Sequence, residues 1–116
     1  MAEELKMRTK AYALSILDIV ERLPANTSSK VVAYQIAKAG TSVGANYRAA
    51  CRARSDREFI AKMEIVLEEA DETLYWLEII AAKQWIDAHV LNAIWKEGNE
   101  LTAIFVSSLK TVKAKS

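Results

Sequence analysis

The most uneven feature of the sequence is a positively charged segment without an acidic residue between positions 22 and 55. Its cationic residues are Arg22, Lys30, Lys38, Arg48, Arg52 and Arg54. At about 100° per residue, some of these charges fall on one narrow face of a helix, opposite its apolar residues. We call this face the basic stripe; it comprises Lys30, Tyr34, Lys38, Thr41, Ala45, Arg48 and Arg52. Because lysines and arginines spaced along a helix displace counterions from phosphates, the stripe predicts a nucleic-acid-binding surface.

The basic stripe also has two structural interpretations: a solvated helix face, or a surface that pairs with acidic side chains of the same chain or a neighbouring copy. The third predicted helix carries many carboxylates against only Arg57 and Lys62. They are Asp56, Glu58, Glu64, Glu68, Glu69, Asp71, Glu72 and Glu78. Pairing between these two segments therefore stays open beside nucleic-acid binding.

The carboxylates of the third helix do not form a recognisable metal or catalytic motif. Helical di-metal sites use Glu-x-x-His units, and the sequence contains none. The single cysteine, Cys51, and the single histidine, His89, are too few for a nitrogen and sulfur metal site or a nucleophile relay. We expect a protein that is not an enzyme and has no metal, cofactor or small-molecule substrate.

Apolar side chains off the predicted core face of the third helix indicate self-association. Ile65, Trp76 and Ile79 point away from the core stripe that runs from Phe59 to Ala81, and they mingle with acidic side chains. An exposed tryptophan beside exposed isoleucines is typical of a protein interface. The predicted oligomer interface comprises Ile65, Glu69, Trp76 and Ile79. Tyr75, Trp85 and Trp95 are assigned to packing.

Composition limits the fold that must position these residues. The chain has 116 residues, which fits one domain, and a formal net charge of +1 excludes a globally basic coat. With 3 glycines and 1 proline, little material is available for the turns of a many-stranded sheet. We therefore predict an all-α single domain, an antiparallel up-and-down four-helix bundle that forms a ring-shaped homo-oligomer.

Hydrophobic periodicity predicts four helices, over residues 3–23, 28–54, 56–82 and 88–112. Pro24 ends the first helix, and Thr27 or Ser28 is expected to cap the second. Ser55 and Glu58 have the spacing of a capping box, and Asp87 is the expected cap of the last helix. A basic tail follows, from Lys110 to Ser116.

Two glycines lie one turn apart inside the second predicted helix. Gly40 and Gly44 should each cost about 0.5 to 1 kcal/mol relative to alanine at such positions. A close approach by a neighbouring helix would compensate that cost.

The expected location is the cytoplasm. One cysteine cannot form an internal disulfide, and the mostly polar first ten residues show no secretory signal. No apolar stretch approaches the roughly 20 residues that a membrane span needs.

Several segments together resemble a known family. They are Leu23-Pro24, the stretch from Gln35 to Arg48 with its specific Ser-Val-Gly-Ala-Asn-Tyr core, Arg54-Ser55-x-x-Glu58-Phe59-Ile60, and the stretch from Glu68 to Leu77. Across residues 8–110 the chain resembles the bacterial four-helix proteins encoded in intervening sequences of 23S ribosomal RNA genes. A related group is the accessory variability determinant of diversity-generating retroelements. The resemblance implies a homopentameric ring, and its retroelement branch implies nucleic-acid binding through a basic surface.

The resemblance also assigns individual positions. Lys38 stands where the family usually has arginine, and Ala49 stands where it often has glutamate, which makes this surface more basic. Gly40, Ser42, Gly44 and Asn46 are the structural signature; Ser42 and Asn46 could bond to each other, to the helix backbone or across a subunit contact. The favoured function is RNA binding through Lys30, Lys38, Arg48, Arg52 and Arg54. A contribution of the basic tail to this RNA contact stays open. The alternative is a structural or regulatory protein-binding oligomer without nucleic acid.

Overall fold

The computed structural model describes residues 1–115 and contains four α-helices and no strand within them. The helices are α1 (Ala2–Glu21), α2 (Thr27–Cys51), α3 (Asp56–Lys83) and α4 (Ala88–Lys115). The predicted all-α class is confirmed. The expected basic tail continues α4 as far as Lys115, and Ser116 lies outside the described residues. No helix in this range is both long and apolar enough to span a membrane.

The start of α2 differs from the sequence prediction. Asn26 is the cap: its Oδ1 accepts a hydrogen bond from the Ser29 amide at 2.9 Å, and Ser29 Oγ accepts one from the Asn26 amide at 3.2 Å. The expectation that Thr27 or Ser28 caps this helix is wrong, because both already lie within its first turn. The hydroxyl of Ser29 also donates to the Pro24 carbonyl, which holds the α1–α2 link against the helix it precedes.

The starts of α3 and α4 use the expected capping residues. Ser55 Oγ accepts from the Glu58 amide at 3.1 Å, whereas Glu58 Oε2 accepts from the amide of Arg54, at 3.4 Å, and so does not complete the predicted box with Ser55. Asp87 Oδ1 accepts from the His89 amide at 2.9 Å at the start of α4. Each cap satisfies an amide that has no partner within its own helix.

Each helix packs against its neighbour in the chain, and α4 also contacts α1. The apolar faces of all four helices contribute to one shared core. Its largest fully buried side chains are Ile16, Ile19, Ile36, Met63, Leu77, Ile80, Leu101 and Phe105. On the outside, Arg8 joins α1 to α4: its Nε and Nη2 donate to the two carboxylate oxygens of Glu97 at 3.1 and 2.7 Å, and Nη2 also donates to Glu100 at 3.0 Å.

The buried face of α3 is turned relative to the predicted stripe. Thr73 and Ile80 are fully buried, whereas Ala81, expected in the core, is exposed. Trp76 and Ile79 are half-buried and pack against the core, so the expectation that they point away from it is wrong. The physical reason is that α3 packs against both α2 and α4, which makes its covered face wider than a single stripe.

Aromatic side chains follow the packing prediction in two of three cases. Trp85 and Trp95 are half-buried against the core. Tyr75 is instead 52% exposed, and its ring lies edge-on to Trp76 with 5.0 Å between centroids. The prediction that Tyr75 serves packing in the core is therefore wrong, and Tyr75 adds apolar area to the outer surface of α3.

Both glycines of α2 lie where α1 comes close. A Cβ on Gly40 would be 2.8 Å from Ile16 Cγ2, and a Cβ on Gly44 would be 3.1 Å from Thr9 Oγ1 and 3.4 Å from the Thr9 carbonyl carbon. Contacts this short exclude an unadjusted side chain at either position. The glycines therefore let α1 and α2 approach closely, as their spacing indicated.

Candidate nucleic-acid interface

The basic stripe lies on the outer face of α2. Its four charged side chains, Lys30, Lys38, Arg48 and Arg52, are exposed, as is Tyr34. None of the four forms an ion pair with residues 1–115. From Lys30 to Arg52 the stripe extends about 33 Å at the rise of an α-helix. These charges are thus available to an anionic partner.

Only the C-terminal half of the basic stripe borders a groove. Arg48 and Arg52 line a groove of about 510 Å³ between α1 and α2, and the opposite wall carries Lys6 and Lys10 of α1. Neither lysine was identified from the sequence. Their spacing of four residues places both on one face of α1. Only the packing of α1 beside α2, however, puts that face opposite the arginines.

Small residues form much of the remaining groove surface, among them Thr9, Ala13, Gly44 and Ala45, and the exposed side chain of Met7 also lines it. One carboxylate, Glu3, is among the residues that line the groove, and it pairs with Lys6 at 3.0 Å. The Glu3 side chain is 85% exposed, so this pair contributes little stability. Four cations against one carboxylate leave the groove strongly positive.

Lys30 and Lys38 lie outside this groove. Lys38 is close enough to Glu69 of α3 to act on its charge. Burial raises the pKa of Glu69, the carboxylates of Glu72 and Glu68 raise it further, and the positive charge of Lys38 opposes this increase. This end of the stripe thus has an electrostatic partner within the chain.

Arg54 is not brought together with the rest of the predicted site. It follows α2 in the link to α3 and lines a separate depression of about 460 Å³ with Tyr47, Phe59 and Val112. The tail also has a partner on α3, because Lys113 pairs with Glu64 at 3.2 Å. The structure therefore concentrates positive charge at the α1–α2 groove rather than around Arg54.

The signature polar residues bond to their own helix. Ser42 Oγ donates to the Lys38 carbonyl at 2.6 Å, and Asn46 Nδ2 donates to the Ser42 carbonyl at 2.9 Å. The sequence left open whether these side chains bond to each other, to the helix backbone or across a subunit contact. In the structure, both donate to the backbone of their own helix. Both residues remain partly exposed, on the flank of α2 next to the stripe.

The predicted interface residues differ in exposure. Ile65 is 39% exposed, whereas Glu69, Trp76 and Ile79 are half-buried. The Trp76 indole N–H donates to Glu72 Oε2 at 3.2 Å. These residues therefore give α3 a partly exposed apolar surface with a polar edge.

The side chains of the groove have the chemistry that anions require of a binding site. Guanidinium and ammonium groups donate hydrogen bonds and carry permanent positive charge at neutral pH, which suits phosphate oxygens. Within residues 1–115 no three histidine, cysteine or carboxylate side chains are grouped so that they could hold a metal ion.

Comparisons with known proteins agree with this helical architecture. A family model described as 23S rRNA-intervening sequence protein matches residues 3–107. A crystal structure of a protein of unknown function from the S23 ribosomal protein family of Bacteroides thetaiotaomicron VPI-5482 superposes with a TM-score of 0.85. It shares 33% sequence identity, and the match covers 91% of this chain and 98% of that one. No curated protein matches the chain. The family match covers most of the sequence, and the chain therefore belongs to the 23S rRNA-intervening sequence protein family.

Proposed function

We propose that this protein is a non-enzymatic oligomer that binds RNA through the basic stripe of α2. Lys30, Lys38, Arg48 and Arg52 supply the phosphate contacts, whereas Arg54, which lines a separate depression, is left out of the proposed surface. The observation that carries the proposal is the convergence of unpaired Arg48 and Arg52 with lysines of α1 on one groove. The name of the matching family, which refers to 23S rRNA, is consistent with an RNA partner.

We further propose that the four helices form an antiparallel up-and-down bundle and that copies assemble as a homopentameric ring in the cytoplasm. The short links and the packing of each helix on its chain neighbour support the bundle.

The apolar surface of Ile65 and Tyr75, with Glu69, Trp76 and Ile79 beside it, supports self-association. A ring would repeat the basic stripe and strengthen its field. The single cysteine fits a reducing compartment.

The proposal is tested by RNA binding at increasing salt concentration. A labelled 23S rRNA fragment is titrated with the wild type, with Arg48→Ala/Arg52→Ala, and with the control Arg57→Ala/Lys96→Ala. Both pairs remove two exposed charges, but the control pair lies on α3 and α4. We expect a steep negative slope of log affinity against log salt, flattened by about 0.7 to 0.9 for each phosphate that the stripe variant no longer neutralises. The control should keep the slope of the wild type.

Molar mass in solution, measured for the same variants, separates RNA binding from assembly. Absence of RNA binding by the wild type at low salt would show the proposed function to be wrong. If the stripe variant dissociates the oligomer, the arginines serve a subunit contact. The protein is then a structural or regulatory oligomer that binds other proteins rather than nucleic acid.

A further inference from the structure

Two rows of cations face each other across the α1–α2 groove. Lys6 and Lys10 are one helical turn apart on α1, and Arg48 lies one turn before Arg52, the residue that caps the C-terminal end of α2. Residues at this spacing have Cβ atoms about 5 to 6 Å apart on the same helix face. A linear polyanion lying along the groove would therefore have positive charge on both of its sides.

We propose that the α1–α2 groove holds the phosphodiester backbone of a single RNA strand and that Lys6 and Lys10 supply half of its charged contacts. This inference rests on the proposed RNA binding and specifies it. The strand lies between α1 and α2 rather than across the outer face of α2. Lys30 and Lys38, which do not line the groove, contribute less than the two lysines of α1.

The size of the groove favours a single strand. Gly44 brings α1 and α2 together so closely that a Cβ there would press on Thr9. The groove holds about 510 Å³, the volume of a site that encloses one small ligand. That volume accommodates one phosphodiester backbone against Thr9, Ala13, Gly44 and Ala45, but it does not enclose a double helix.

A substitution at Glu3 tests the groove by a variant that should bind RNA more tightly than the wild type. It is the carboxylate among the described lining residues, so it repels a bound phosphate. Glu3→Gln removes this repulsion and should tighten binding about two- to fivefold at low salt, as expected for one exposed charge. Glu4→Gln is the matched control, because Glu4 is also exposed in the first turn of α1 but does not line the groove.

A second test uses substitutions that should weaken RNA binding. It compares Lys6→Ala/Lys10→Ala with Lys30→Ala/Lys38→Ala. The probes are an oligouridylate of about 12 nucleotides, within the usual site size for single strands, and the duplex it forms with oligoadenylate. Both variants remove two lysines, but only the first pair lines the groove. We expect the α1 pair to flatten the salt slope for oligouridylate by about 0.7 for each phosphate that is no longer neutralised, and the α2 pair to flatten it less.

The outcomes distinguish this inference from the function on which it rests. If wild type binds neither probe nor the rRNA fragment, both fail. RNA binding that is unchanged by the α1 pair and by Glu3→Gln would overturn the groove assignment and leave the proposed function intact. Tighter binding of the duplex than of oligouridylate would overturn the assignment of a single strand. Preference for oligouridylate, together with both variant effects, supports it.

Discussion

Ile16 of α1 occupies the space that a side chain on Gly40 of α2 would need. A Cβ on Gly40 would be 2.8 and 2.9 Å from the two γ carbons of Ile16, which is fully buried. The contact fixes how closely the two helices approach. Since the same pair of helices encloses the cationic groove, it also sets the distance between the two rows of charge.

Gly40→Ala should therefore destabilise the protein. Alanine gains about 1 kcal/mol in helix propensity, but overpacking a filled core costs about 1 to 3 kcal/mol, and γ carbons so close to the Ile16 backbone cannot move aside easily. We expect a net decrease of about 1 kcal/mol in the free energy of unfolding, measured in urea. In an Ile16→Ala background, which removes both γ carbons, the same substitution should be neutral or stabilising. Equal effects in the two backgrounds would contradict the contact.

Gln84→Gly should stabilise the C-terminal end of α3. Gln84 has φ 58° and ψ 34°, a left-handed conformation, and its amide caps the helix by donating to the carbonyls of Ala81 and Ile80. Glycine adopts this conformation without the steric cost of a side chain, so the gain should be about 0.5 to 1 kcal/mol. Ala61→Gly, at an exposed position inside the same helix, should instead destabilise by a similar amount. Thermal unfolding of both variants measures whether stability rises or falls in each. Destabilisation by Gln84→Gly would refute the left-handed conformation of this cap.

Tyr12→Phe should be neutral or stabilising by up to about 1 kcal/mol, because it removes a buried hydroxyl that lacks a partner. The Tyr12 side chain is 3% exposed, and its hydroxyl has no hydrogen-bond partner within the described residues. Burial, with a smaller effect from the charge of Glu97, raises the pKa of this phenol. Tyr47→Phe is the control, because the Tyr47 hydroxyl interacts with Cys51 and its removal should destabilise. Strong destabilisation by Tyr12→Phe, measured in urea, would reveal a partner of the hydroxyl.

Glu69 should make stability depend on pH. Its pKa is raised in the folded protein by burial and by Glu72 and Glu68, so the folded state binds its proton more tightly than the unfolded chain does. This contribution to the free energy of unfolding therefore increases as pH falls from neutral through the raised pKa toward the ordinary value of glutamate. Glu69→Gln should stabilise the protein at neutral pH and remove this dependence, as measured by urea denaturation at several pH values.

The effect of Lys38 on Glu69 can be measured directly. Lys38 lowers the pKa of Glu69, so Lys38→Gln should raise it further in a carboxyl NMR titration. Lys30→Gln removes a charge two turns earlier on α2 and should shift the titration less. Equal shifts in the two variants would mean that Lys38 has no specific contact with this carboxylate. In that case, pairing between the stripe and α3 would have no support.

Local patterns in the sequence predicted the helices well but placed some boundaries and faces incorrectly. The 3.6-residue repeat predicted four helices where the structure has them, to within a few residues at their ends, because periodicity is a property of each helix alone. The cap of α2 was misassigned because Asn26, Thr27 and Ser28 are all good capping residues, and only the backbone geometry selects Asn26.

Composition, motifs and helical periodicity are local properties, and they were enough to predict the all-α class, the family and an exposed cationic face on α2. Tertiary structure decided which charges act together. Packing α1 against Gly40 and Gly44 put Lys6 and Lys10 opposite Arg48 and Arg52, and it left Arg54 in a separate depression. Residues about forty positions apart become neighbours only when two helices dock, and the contacts that set the docking distance are steric ones that no charge pattern encodes.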